Sequence, residues 1–113
     1  MQSVTSNAVY SALNTVEHIS RTGYELYKIG KLVFCLVYYL GGGASPMTFL
    51  NIPFKPVNAV RTALINNNDD SYAGQCVLSV EGGSSIMRLW KSGGGTFPSG
   101  ITWTCSFCYI TTD

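Results

Sequence analysis

Charge is what this chain has least of: seven Lys and Arg stand against six Asp and Glu in 113 residues, with a net charge of +1 and a single histidine. The basic residues are scattered, so no stripe tracks a phosphate backbone, and nucleic acid is excluded as a partner. His18, alone and far from the other polar clusters, gives a nucleophile no base to work with. The carboxylates Glu17, Glu25, Asp69, Asp70, Glu81 and Asp113 have no spacing that pairs two of them across a glycosidic bond. No apolar run exceeds about ten residues, half of the ~20 that a membrane-spanning helix needs, so membrane insertion is not expected. The opening MQSVTSNAV lacks the basic and continuous apolar regions of a signal peptide. The chain is therefore expected to be made in the cytoplasm and to leave it by lysis or assembly. Neither glycine-rich stretch, GGGASP nor SGGGTFPSG, carries the lysine and following helix of a phosphate cradle. Together these gaps argue against an enzyme and against a cofactor.

The four cysteines raise a metal or redox reading that their setting opposes. Cys105 and Cys108 form a CxxC, but three steps along a strand put the two thiols on opposite faces, where they cannot share one ion or form a disulfide. Cys35 and Cys76 sit singly within apolar segments, as small buried hydrophobes do. No metal is expected. With 46% hydrophobic and 12% charged residues, the surface falls to Ser, Thr, Asn and Gly, a composition of adhesive or virion proteins.

What the chain does have is KLVFCLVYYL, residues 31–40, apolar on both sides. With period two, Leu32, Phe34, Leu36, Tyr38 and Leu40 share one face and Val33, Cys35, Val37 and Tyr39 the other. Its residue types disfavour a helix, and Gly30 and Gly41 bracket it. A central strand is predicted, with a second layer, from this chain or a neighbouring copy, over its outer face. Around it lie short strands and glycine turns: GYELYKIG joined through Gly30, a short strand at 47–52, IPFKP as an edge or crossover, and VNAVRTALI read as a strand. Beyond the polar loop NNNDDS come strands 73–81 and 84–91, joined across Gly82 and Gly83. The last strand alternates Ile101, Trp103, Cys105, Phe107 and Tyr109 inward with Thr102, Thr104, Ser106 and Cys108 outward. The expected fold is all-β, an antiparallel, jelly-roll-like β-sandwich of about seven strands over residues 23–113.

Residues 1–22 are expected to form a separate oligomerisation helix and linker. Over 3–20, Val9, Ala12, Val16 and Ile19 keep the spacing of a coiled-coil seam. Two readings stand for this stripe: packing on its own β-domain, or a short bundle with copies of itself, in which β-branched seam residues favour three strands. For ligand contact, Tyr72 beside the polar loop and Trp90 near its strand end are the aromatics free to stack on a sugar, with Asp69 and Asp70 the nearby carboxylates. Most other aromatics belong to the core.

MQSVTSNAVYSAL resembles the helical linker that leads into the terminal β-domain of tail-fibre and receptor-binding proteins of phages and prophages. YKIGKLVF is similar to their early hairpin, IPFKP to their proline-marked crossover, CVLSVEGGSSIMRL to their strand, glycine turn and strand, and TCSFCYITTD to their closing strand. The cysteines and the long glycine-rich loop depart from the pattern. The resemblance implies a homotrimeric domain at the tail tip of a virion, held among other phage tail proteins and recognising a cell-surface saccharide. It carries over no receptor-contacting residue. The alternatives are a purely structural assembly or capping domain and, less favoured, a cysteine-based metal or redox protein.

Overall fold

The computed structural model describes residues 15–113. Eight strands run β1 Glu17–Arg21, β2 Tyr24–Ile29, β3 Leu32–Leu40, β4 Met47–Phe49, β5 Val60–Asn66, β6 Ser71–Glu81, β7 Ser84–Lys91 and β8 Thr102–Ile110. All pairings are antiparallel, and the order across the sheet is β1-β2-β3-β8-β5-β6-β7-β4. The fold is all-β, but it is one continuous curled sheet of eight strands, where a sandwich of about seven was expected. Strand β8 is the reason: it hydrogen-bonds β3 along its whole length and β5 at Ile65↔Thr104 and Asn66↔Trp103, joining what would otherwise be two sheets.

Curling brings the edge strand β4 back over the inner face. Phe49 packs edge-on against Tyr24 of β2, with ring centroids 5.3 Å apart. Inside lie Leu26, Val33, Cys35, Val37, Leu64, Cys76, Leu78, Met87 and Leu89, all essentially inaccessible. The side chains alternate as pleating demands, so β3 gives Val33, Cys35 and Val37 to this core and turns Leu32, Phe34, Tyr38 and Leu40 outward.

The β6–β7 hairpin turns through Gly82 (φ 58°) and Gly83 (φ 83°), the left-handed pair that a two-residue hairpin needs. The IPFKP segment is a crossover. Ile52 enters the core, Tyr109 Oη donates to the carbonyl of Phe54 (2.8 Å), and Thr111 Oγ1 donates to that of Lys55 (2.8 Å). The two glycine-rich loops do more than connect. Gly42 N–H donates to Phe97 O and Phe97 N–H to Gly43 O, each at 2.8 Å, and this seats Phe97 fully buried between Tyr39 and Trp103.

The helix expected over 3–20 is overturned where the structure describes it. Glu17–Arg21 is a strand, paired with β2 in register Glu17↔Lys28 to Arg21↔Tyr24. His18 stacks on its partner Tyr27 at 4.4 Å, and its Nε2 lies 2.9 Å from Glu25 Oε1. Ile19 faces the core as a strand residue, and Val16 is exposed just before the strand. Thr22 and Gly23 form a hairpin turn, which an alternating segment beside an open sheet edge can use more readily than a helix with no partner surface. The other two seam positions, Val9 and Ala12, lie outside the described residues, as does most of the expected linker.

Candidate functional site

The β5–β8 ladder ends abruptly. From Leu64 back to Val60, β5 pairs only with β6, and from Cys105 onward β8 pairs only with β3. A slit therefore opens within the sheet, closed again at its far end where Val57 N–H donates to Ile110 O (2.9 Å). Its part nearest the β5–β6 turn is a cleft of about 560 Å³. That volume falls within the roughly 300–1,000 Å³ of ligand clefts. Leu36 and Tyr38 of β3 form one wall, Ala63 and Ile65 of β5 the other, and Cys105 lies at the slit.

The polar lining comes from Thr62, Asn67, Asp70, Thr104 and Ser106. None of these five side chains makes a hydrogen bond or ion pair to another described residue. Asp69, next door, shows the difference. Its Oδ1 accepts from Ser71 N–H (3.0 Å) and Ser71 Oγ (2.6 Å), bonds that hold its carboxyl below the usual range. Asp69 is thus engaged in stabilising the turn, while Asp70, at φ 59°, belongs to the cleft lining.

Of the four residues singled out from sequence, only Asp70 lines this cleft. Tyr72 is 63% exposed and borders smaller grooves beside Arg61 and Gln75 on one side and Lys91 and Ser92 on the other. Trp90 is half-exposed opposite Gln75 on the outer face, beyond β6 from the cleft. Tyr38, Thr62, Asn67, Thr104 and Ser106 were not recognised as a group. The outward Thr and Ser of β8 were visible as a polar face, but which strand would lie beside them was not.

No family model, curated protein or solved structure matches the chain.

The thiols divide by face. Cys108 is exposed on the outside, and Cys35 and Cys76 are buried. Burial pushes the Cys35 thiol up to about 12, and the influence of Cys105, followed by burial, raises that of Cys76. Such thiols are protonated and poor nucleophiles or ligands at neutral pH. Among the described residues, no three His, Cys, Asp or Glu side chains are arranged to hold a metal ion.

A second surface lies on the same outer face, toward the Lys31 end. Ile29, Leu32 and Ile110 are register partners across β2, β3 and β8, and Val57 follows Ile110. They are 39%, 48%, 52% and 53% exposed, and Phe34 adds to them one row further in. The apolar row crosses four neighbouring chain segments.

Proposed function

We propose that this chain is a non-enzymatic tip domain of a phage or prophage tail fibre or baseplate, which assembles as a homotrimer in the virion and attaches to a saccharide of the host surface. The observation that carries the assembly is the apolar row Ile29, Leu32, Ile110 and Val57 with Phe34 beside it. Scattered apolar residues on a surface need no explanation, whereas a contiguous row across four segments does. Of the two faces of β3, the inner one is occupied by the core, so the outer one faces the neighbouring copies. The number three comes from the resemblance of SVTSNAV and the motifs after it to tail-fibre domains, since Ile19 belongs to a strand and the helical seam no longer argues for it.

Saccharide attachment is supported by a surface of hydroxyls, amides and exposed aromatics with little charge. Several weak sites presented together by the trimer would supply avidity. Light scattering at micromolar concentration should return three times the 12.2 kDa chain mass; a monomer would sink the assembly. A trimer that binds no oligosaccharide on a glycan array would leave the domain as a structural cap of the tail.

A further inference from the structure

We infer that the cleft between β5 and β8 is the saccharide site, and that its ligand is a neutral sugar stacked on Tyr38 and hydrogen-bonded by Asp70, Asn67, Thr62, Thr104 and Ser106. This deepens the reading of the domain as a glycan binder and rests on it.

The chemistry of the lining selects the ligand. A sugar ring offers a C–H face and a ring of hydroxyls, and needs an aromatic plate beside a set of mixed donors and acceptors. Tyr38 is 37% exposed and stacks on no other ring of the described residues, so its face is available. The three hydroxyls donate and accept, the Asn67 amide does both, and the Asp70 carboxylate accepts from two adjacent hydroxyls. Unused hydrogen-bonding capacity gathered in one concavity is what distinguishes this place from the turn beside it, where Asp69 and Ser71 satisfy each other. Among the described residues Asp70 is the only charged side chain lining the cleft, so a carboxylated or sulfated sugar would meet repulsion and no cation from them. Tyr72 is more exposed and also has polar neighbours, but they line grooves of about 180 and 280 Å³, against 560 Å³ for the cleft, and they bring the cations Lys91 and Arg61.

The cleft is also separate from the apolar row that is assigned to assembly. Leu36 and Tyr38 stand beside Ser106 and Thr104, whereas Leu32 and Phe34 stand beside Ile110 and Cys108 at the other end of the same strands. A trimer joined through the Lys31 end leaves the cleft open.

The test is an array of immobilised neutral and acidic oligosaccharides probed with the intact chain, followed by titration of the best binder against four variants. Tyr38→Ala and Asp70→Asn are each expected to weaken binding about tenfold. Asn tolerates the left-handed backbone at position 70 and keeps the side-chain shape, so this change removes charge without straining the turn. Thr62→Val preserves volume and should weaken binding by a smaller factor, while Trp90→Ala should leave it within about twofold. Circular dichroism checks that each variant keeps its sheet. Wild-type affinity in both Tyr38→Ala and Asp70→Asn would overturn the cleft while leaving glycan recognition in place. Selective binding of acidic sugars would overturn the proposed ligand class. An array with no binder at all would overturn the glycan reading and this site with it.

Discussion

Replacing Leu32 by Asp tests the assembly surface, because it alters the outer face of β3 and leaves the core side untouched. Leu32 is 48% exposed between Ile29 and Ile110. Full burial of such a side chain contributes about 1.5–3 kcal/mol, so four half-exposed residues covered by a neighbour contribute on the order of 3–6 kcal/mol per copy. The aspartate removes one of these shares and places a carboxylate, too short to reach solvent, inside the contact. The combined cost is on the order of 2–4 kcal/mol per interface, a weakening of association by about thirty-fold to nearly a thousand-fold. Sedimentation velocity over a concentration series should show the trimer of the parent chain giving way to monomer in the variant, with an unchanged β-sheet spectrum. Val80→Asp is the control, since Val80 is 44% exposed near the end of β6 and keeps the two-residue step of the core residues Cys76 and Leu78, which sets it on the sheet face opposite the row. A Leu32→Asp trimer as tight as the parent, or equal weakening by Val80→Asp, would refute the assignment of the interface.

Three further outcomes follow from particular atoms. Gly74→Ala should lower stability by on the order of 2–4 kcal/mol, seen as a shifted urea midpoint, because a Cβ there would lie 1.8 Å from the Trp90 carbonyl oxygen and the residue sits at φ 151°; an unshifted midpoint would show that β6 and β7 separate there at no cost. In the folded protein a maleimide reagent should label Cys108 first and Cys35 and Cys76 only through unfolding, given their exposure; early labelling of Cys35 would place β3 the wrong way round. The native state holds the Cys35 thiol neutral to about pH 12, against 9.0 for an unperturbed thiol. The stability tied to it is fully present below the unfolded value and is lost as pH rises toward and through the folded one. Near pH 11 the loss should reach roughly 2–3 kcal/mol. Urea melts at neutral and alkaline pH should show it in the parent and a smaller loss in Cys35→Val; equal losses would mean that other groups, such as the raised Tyr109 and Tyr24, account for the whole effect.

How far the sequence could be read depended on whether the signal was local. Two-residue periodicity in residues 31–40 and 101–109 placed β3 and β8, and the Gly82-Gly83 pair placed a hairpin, because each depends only on neighbours in the chain. Residues 16–20 failed because the three-residue step from Val16 to Ile19 fits a helical stripe, whereas in the extended chain the two part, Ile19 toward the core and Val16 exposed. What settled Ile19 was the exposed edge of β2, a tertiary fact. The sandwich expectation failed for a related reason: nothing in ITWTCSFCY announces that the strand will hydrogen-bond β3 on one side and β5 on the other. The cleft was invisible because its lining comes from three strands and a turn, and only the register β3·β8·β5 brings Tyr38, Thr104 and Ile65 into line. Asp70 was noticed for its charge, whereas its separation from Asp69 in role depends on a serine two residues beyond the first.

One residue links the local backbone to the cleft. Between Leu64↔Gly74 and Ile65↔Tyr72 the register of β5 on β6 slips, leaving Ala73 as the extra residue of a bulge. A bulge bends its strand and increases the twist. The slip falls at the same step where β5 stops pairing with β8: Ile65 and Asn66 reach Thr104 and Trp103, and Leu64 reaches nothing on that side. Ser92 N–H donates to the carbonyl of Ala73 (2.7 Å), which ties the bulged residue to the end of β7. Gly74 allows this, since with any side chain the β7 carbonyl at Trp90 would have to move away. The bulge beside Gly74 thus sits at the ladder step where the slit opens, and substitutions that regularise β6 at positions 73 and 74 are expected to change the shape of the slit as well as the β6–β7 pairing.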